Sequence, residues 1–241
     1  MKILAIPHIK PDNPIMIPPF CDSNIKAVFT TKSGDPKQEG NLERYLYENS
    51  KKPELILSRL VSGYPLNQIH SNTIYKYRDW FLGRNGDGMF TNKKFLPCIV
   101  NVADCIPILI RNKKGTEVCA VHAGWRGLKK DIIKKAIQLF SDGGEKLEVW
   151  IGPSIGYKSY EIQENFINDF PELNHHYKSC VQSTGQKFFC DLNRLANIQL
   201  HDAKVKDVKR SERCVFEEAQ SFYSHRREKT KNRMSAIIWI E

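Results

Sequence analysis

A chain of 241 residues with 41% hydrophobic and 27% charged residues has the composition of a folded protein able to bury a sizeable core. It is neither low-complexity nor heptad-built, and its apolar runs are too short for a membrane-spanning helix. The formal net charge of +10 sits on scattered lysines with no nucleic-acid-binding signature around them, which favours attraction of small anions over nucleic-acid binding.

Residues 1–24 carry five prolines and suit an extended edge segment rather than a helix. The apolar patch at the N-terminus is too short for a signal-peptide core and no small-residue cleavage site follows it, so a cytoplasmic protein is expected. Ile25 to Thr31 is rich in β-branched residues and predicts a strand, followed by a turn at Ser33-Gly34-Asp35-Pro36. Between Asn41 and Leu60 the second part has helical spacing, with Pro53 in the first turn before Leu55, Ile56, Leu57 and Leu60. Thr73 to Tyr77 alternates as a strand does, and Asn85-Gly86-Asp87-Gly88 is a turn ahead of Met89-Phe90-Thr91.

Cys98–Val102, Ile106–Arg111 and Glu117–Val121 are three short apolar strands, the last two joined by a turn at Asn112 to Gly115. Leu128 to Phe140 predicts one continuous helix, because Leu128, Ile132, Ile133, Ala136, Ile137 and Phe140 share a face and lysines cover the other. Lys146 to Ile151 predicts a strand running into a tight turn, Gly152 to Gly156. Glu161 to Phe170 reads as a short amphipathic helix stopped by Pro171, and Asp191 as the N-cap of a helix through Leu200. Ser235 to Ile240 closes the chain as a strand. Strands dominate without a regular βαβ cadence, so the expected fold is α+β: one domain over residues 1–241, mixed sheets packed in a sandwich-like core with flanking helices.

Seven cysteines, at 21, 98, 105, 119, 180, 190 and 214, form neither a disulfide framework nor a CxxC zinc motif. Cys98 and Cys119 sit inside strand-like runs and read as buried thiols. Cys105 differs: Asp104 precedes it and Pro107 follows closely. His70, Cys105 and His122 each fall at the edge of a strand-like segment, where a rigid element can project a side chain. Two imidazoles and a thiolate are a known catalytic zinc ligand set, and the same donors suit copper. The plain alternative is two satisfied histidines and a small buried thiol. A third is a metal-free site, with Cys105 as nucleophile, His122 as base, and Gln68 or Asp104 orienting the imidazole. Arg126, between Trp125 and Gly127, has the planar fork that grips phosphate or carboxylate, and the Gly152–Gly156 turn can offer backbone N–H groups to an anion.

Gln68-Ile69-His70-Ser71, Asp87-Gly88, Ala103-Asp104-Cys105-Ile106-Pro107, His122-Ala123-Gly124-Trp125-Arg126-Gly127 and Ile151-Gly152-Pro153-Ser154-Ile155-Gly156 together resemble, in order, the motifs of the YfiH/YlmD family. That family is known both as laccase-like multicopper polyphenol oxidoreductases and as purine nucleoside phosphorylases. The resemblance implies a zinc (or copper) site made by His70, Cys105 and His122. It implies purine nucleosides and phosphate as substrates: phosphorolysis of adenosine, inosine, guanosine and S-methyl-5′-thioadenosine, and hydrolytic deamination of adenosine. Cys105, His122 and Arg126 are then expected in catalysis, with Gln68, Ser71, Asp87, Asp104, Gly152 and Ser154 facing substrate or anion. The chain departs from the family at Ser33 to Pro36, at His225 where a tyrosine is expected, and at Lys231-Asn232-Arg233, where Asn232 is expected to keep a glycine's positive φ. The competing readings are a copper oxidase of phenols, a cysteine hydrolase, and a basic binding module without turnover. A multicopper relay would need more histidines than seven comfortably supply.

Overall fold

The computed structural model describes residues 15–22, 24–32, 41–61, 66–76, 83–163 and 179–241. In chain order the strands are β1 (Ile15–Met16), β2 (Ile25–Thr30), β3 (Ile74–Lys76), β4 (Gly88–Thr91), β5 (Cys98–Val102), β6 (Ile106–Asn112), β7 (Val118–Ala123), β8 (Leu147–Ile151), β9 (Glu161–Ile162), β10 (Val181–Thr184), β11 (Lys187–Cys190), β12 (Asp207–Arg210) and β13 (Met234–Ile240). The helices are α1 (Asn41–Asn49), α2 (Pro53–Val61), α3 (Trp125–Lys129), α4 (Ile132–Ile137), α5 (Leu192–Asp202) and α6 (His225–Glu228). A six-stranded mixed sheet runs β12-β8-β6-β7-β4-β3, a four-stranded sheet β1-β2-β13-β5, and a three-stranded sheet β10-β11-β9.

The layering follows from which face each apolar side chain takes. All of β6 is buried, so its sequence is a continuous apolar run, as in strands covered on both faces. Leu109, Val118, Ala120 and Trp150 share one core with Phe29, Val100, Ile237 and Trp239 of the four-stranded sheet. Ile108, Ile110, Cys119, Val121 and Val149 point the other way, into a core with Leu128 of α3, Ile133 of α4 and Leu195 of α5. The fold is the expected mixed α+β arrangement: two sheets face to face, with α3, α4 and α5 on the outer face of the larger one and Leu46 of α1 and Ile56 of α2 in the core between the sheets.

Several elements differ from expectation. The helix expected over 128–140 is broken, because Asp131 takes a left-handed φ of 57° and separates α3 from α4. Backbone N–H groups of Lys130 and Asp131 close α3 onto Gly127 and Leu128, and Gln199 Nε2 also donates to the Leu128 carbonyl at 2.8 Å. The apolar face survives the break: Leu128, Ile132, Ile133, Ala136, Ile137 and Phe140 are all buried. Where a helix was expected from Glu161, Glu161 and Ile162 instead pair antiparallel with Phe189 and Phe188; residues 164–170 lie outside the described residues. So do Ser33 to Pro36 and most of the proline-rich start. Asn232 does not have positive φ; Lys229, three residues earlier, does, at 53°. Asp191 caps α5 as expected, its Oδ1 accepting from Arg194 N at 2.9 Å.

Candidate metal centre

Three connections converge beyond the ends of β5 and β7. The segment before β3 carries His70, the turn from β5 to β6 carries Asp104-Cys105, and β7 ends at His122–Ala123. Gln68 ties the first to the second: its Nε2 donates to Asn101 O at 2.8 Å and its Oε1 accepts from Asn101 N at 2.7 Å. The pairing of β4 with β7 sets Gly88 opposite Val121, which brings Asp87 beside His122. His122 N then donates to Asp87 O at 2.8 Å.

Asp87 is fully buried and its carboxylate is the hub of the site. Oδ1 accepts from His70 N at 3.0 Å and faces His122 Nδ1 at 2.8 Å; Oδ2 accepts from Ser71 N at 2.5 Å and Ser71 Oγ at 2.6 Å. Burial opposes the charged carboxylate, but the bonds from His122 and Ser71 outweigh it and hold the group below its usual range. Asp87 is thus turned onto the His122 imidazole and Ser71 onto Asp87.

With Nδ1 of His122 engaged, its Nε2 is the nitrogen left for Cys105 or an ion. The donor atoms of His70, Cys105 and His122 all lie within 4.8 Å of one another. Cys105 Sγ is 3.7 Å from His70 Nε2, and the two imidazole rings stand at 4.9 Å between centroids and 71° between planes. Among the described residues this is the one group of three such donors. Two of the residues that build it hold uncommon backbone: His70 at φ 60° and Asp104 at φ 95°. Gly124 keeps the space open, since a methyl there would lie 2.8 Å from His70 Cδ2 and 3.0 Å from Cys105 Sγ.

Burial pushes against a Cys105 thiolate, but the His122 charge and hydrogen bonds from His122 and His70 bring its pKa down to about 6. Burial likewise opposes a charged His122, and Cys105 and Asp87 together raise it to about 9. These mutual shifts favour a thiolate–imidazolium pair backed by a carboxylate, and binding an ion there would release the His122 proton. The donor set fits a metal: a thiolate already formed, one imidazole whose far nitrogen is fixed by a carboxylate, and both imidazoles drawn to the sulfur.

The centre opens into a cavity of about 300 Å³ that also meets Gln68, Asn101, Asp104, Tyr160, Arg226 and Arg233. Asp104 fastens the far wall, accepting from Ser224 Oγ and Arg226 N at 2.6 Å each. Of the groups expected to face substrate or anion, Gln68 and Asp104 line this cavity, whereas Arg126, Gly152 and Ser154 do not. Arg126 is exposed, with its guanidinium 4.2 Å over the Trp125 ring, and does not line this cavity. In the 152–156 turn, Gly152 N donates to Pro107 O, Ile155 N to Asp104 O and Gly156 N to Cys214 Sγ, so these N–H groups are already used. Ser154 is buried with its Oγ bonded to the Asn193 amide at 2.9 Å.

The sequence reading assigned no role to Tyr160, Asn101, Arg226 or Lys229. A tyrosine and basic residues up to 107 positions beyond His122 in sequence carry no spacing signal. The signal that could have found them is the run of Ser224 to Arg233, dense in cations with few carboxylates nearby in sequence.

A family model described as multi-copper polyphenol oxidoreductase laccase matches residues 43–241. The purine nucleoside phosphorylase YfiH of Escherichia coli (strain K12) is 32% identical over 176 residues, covering 73% of this chain and 72% of its own length. A Haemophilus influenzae protein named purine nucleoside phosphorylase is 29% identical over 234 residues, 90% of this chain and 95% of its own. Among solved structures, a Neisseria meningitidis protein superposes with a TM-score of 0.78 at 26% identity, covering 95% of this chain and 99% of that one. YlmD from Geobacillus stearothermophilus gives 0.73 at 23% identity over 97% and 94%, a likeness of fold.

Proposed function

This chain belongs to the YfiH family, whose model bears the laccase-like description, and on that premise we propose that it is a metal-dependent purine nucleoside enzyme. Its reactions are phosphorolysis of adenosine, inosine, guanosine and S-methyl-5′-thioadenosine to the free base and a pentose 1-phosphate, and hydrolytic deamination of adenosine. The observation that carries this reading is the convergence of His70, Cys105 and His122, as candidate ligands, on one cavity of about 300 Å³. That volume lies at the small end of ligand cavities, the class of a single nucleoside rather than a polymer.

His70, Cys105 and His122 would hold one ion, zinc by preference and copper as the alternative, and such an ion supplies a Lewis acid at neutral pH. Asp87 fixes the tautomer and tilt of His122. Tyr160 lines the cavity, and burial pushes its phenol up, so it stays protonated. A single three-donor group supports this reading over a multicopper oxidase among the described residues.

One observation favours a second reading. The chain Asp87–His122–Cys105 has the order of carboxylate, imidazole and thiol that activates a cysteine nucleophile without metal. Metal analysis of protein purified without added metal separates the two. About one ion per chain, lost with activity in His122→Ala, supports the lead; metal-free protein with full nucleoside turnover would overturn it and favour the cysteine mechanism.

A further inference from the structure

The cavity that meets the ligand group also meets an arc of cations. Arg226, Lys229 and Arg233 all line it, and among the described residues none of their side chains pairs with a carboxylate. By contrast, Arg111, Arg213 and Arg227 each meet a glutamate or aspartate. The arc is also held in place. Arg226 is fixed by its backbone N–H on Asp104, by one guanidinium nitrogen on Glu161 O at 2.8 Å, and by its seat 5.1 Å from the Tyr160 ring centroid. Those bonds leave most of its N–H donors unused. Arg233 spends Nη1 on the carbonyls of Thr230 and Asn232 and keeps its other nitrogens. Lys229, at φ 53°, is set at the C-terminal end of α6 by the left-handed turn between the two arginines. The one carboxylate in the lining, Asp104, is spent on Ser224 and Arg226 N.

We propose that Arg226, Lys229 and Arg233 are the seat of orthophosphate, the second substrate of the phosphorolysis; this rests on the functional reading above. Held there, a phosphate oxygen faces the same cavity as the nucleoside. In the reaction that oxygen forms the bond to ribose C1′ while the bond from C1′ to the purine nitrogen breaks. The bonding pair leaves with the base, and the proton of hydrogen phosphate ends on that nitrogen, so base and ribose 1-phosphate account for every atom. Two guanidinium forks and an ammonium match a tetrahedral dianion. Deamination of adenosine uses water instead of phosphate and makes no demand on this arc.

The test uses metal-loaded full-length protein, with Lys229→Gln, Arg233→Gln and the double variant, and Lys134→Gln on the exposed face of α4 as the charge control. Initial rates of hypoxanthine release from inosine are measured against phosphate concentration, and phosphate binding by calorimetry in parallel. Each single substitution is expected to raise KM for phosphate about tenfold, with KM for inosine and the rate of adenosine deamination unmoved. Lys134→Gln should leave all of these at wild-type values. Inosine 5′-monophosphate distinguishes the source of the phosphoryl group: it should compete with phosphate, not replace inosine as the better substrate. Wild-type kinetics in the double variant overturn the phosphate seat while leaving the phosphorolysis intact. Phosphate binding that is lost in the variants, in a protein that releases no base, keeps the seat and removes the reaction. A wild-type protein that neither binds phosphate nor releases base removes both.

Discussion

The carboxylate of Asp87 meets Nδ1 of His122 at 2.8 Å inside the sheet, with the acid wholly buried and the imidazole 4% exposed. The contact is set by strand register, since Asp87 immediately precedes the residue of β4 that pairs with Val121. The same carboxylate takes the backbone N–H groups of His70 and Ser71, so one side chain positions both imidazoles of the candidate centre.

Replacing that carboxylate therefore acts on the metal through its ligands. Asp87→Asn must turn an NH₂ toward one pair of N–H or O–H donors whichever way the amide lies. Metal affinity is expected to fall about 10- to 100-fold, read by competition against a chelator, with a drop in Tm from the donors left unpaired. Unchanged affinity would separate Asp87 from the centre.

Gly124 offers a test of space alone, because its φ of −76° and ψ of 165° suit any residue. Gly124→Ala should keep a near-native Tm yet lower metal loading, since the added methyl crowds His70 and Cys105. Gly143→Ala, whose new methyl meets nothing within 4 Å, is the control and should change neither. Equal loading in the two variants would contradict the proposed ligand positions.

Metal-stripped protein should show a reactive thiol with its own pH profile. Cys105, brought down to about 6 by His122 and His70 against its burial, is expected to alkylate half-maximally near that pH instead of near 9. His122→Asn removes the cation and should move the midpoint upward. Cys98 and Cys119, whose thiols burial pushes up, should stay unreactive across the range. A midpoint that ignores the His122 substitution would dissolve the thiolate–imidazolium pair.

The break between α3 and α4 has its own signature. A left-handed φ at Asp131 costs about 1 kcal/mol in a residue with a Cβ, so Asp131→Gly should hold or raise Tm. In an unbroken helix the same change would cost about 1 kcal/mol and lower Tm.

That break shows how far periodicity reaches. The spacing of Leu128, Ile132, Ile133, Ala136 and Ile137 identified the buried face correctly, because burial depends on which way side chains point over several turns. It could not see Asp131, whose turn is stabilised by Gln199 on a distant helix. β6 and β7 were legible as strands because two-sided burial makes continuous apolar runs. β10, β11 and β12 went unread: polar, partly exposed strands such as Val181–Thr184 lack both alternation and apolar weight. At the site, the three candidate ligands stood out by residue type at strand ends. Asp87 was legible as a turn residue and, by resemblance, as one facing substrate or anion, but the Asn-Gly-Asp-Gly signal masks a buried acid. The cationic wall was invisible in its role, because Arg226 reaches the cavity through tertiary packing against Asp104 and Tyr160.

The central claim is that His70, Cys105 and His122 serve purine nucleoside cleavage. Incubating adenosine with the metal-loaded protein, with and without phosphate, and identifying the products tests it most directly. The account predicts adenine and ribose 1-phosphate only when phosphate is present, inosine in both cases, and none of these from Cys105→Ala. Neither product from the wild type, or undiminished turnover by Cys105→Ala, would contradict it.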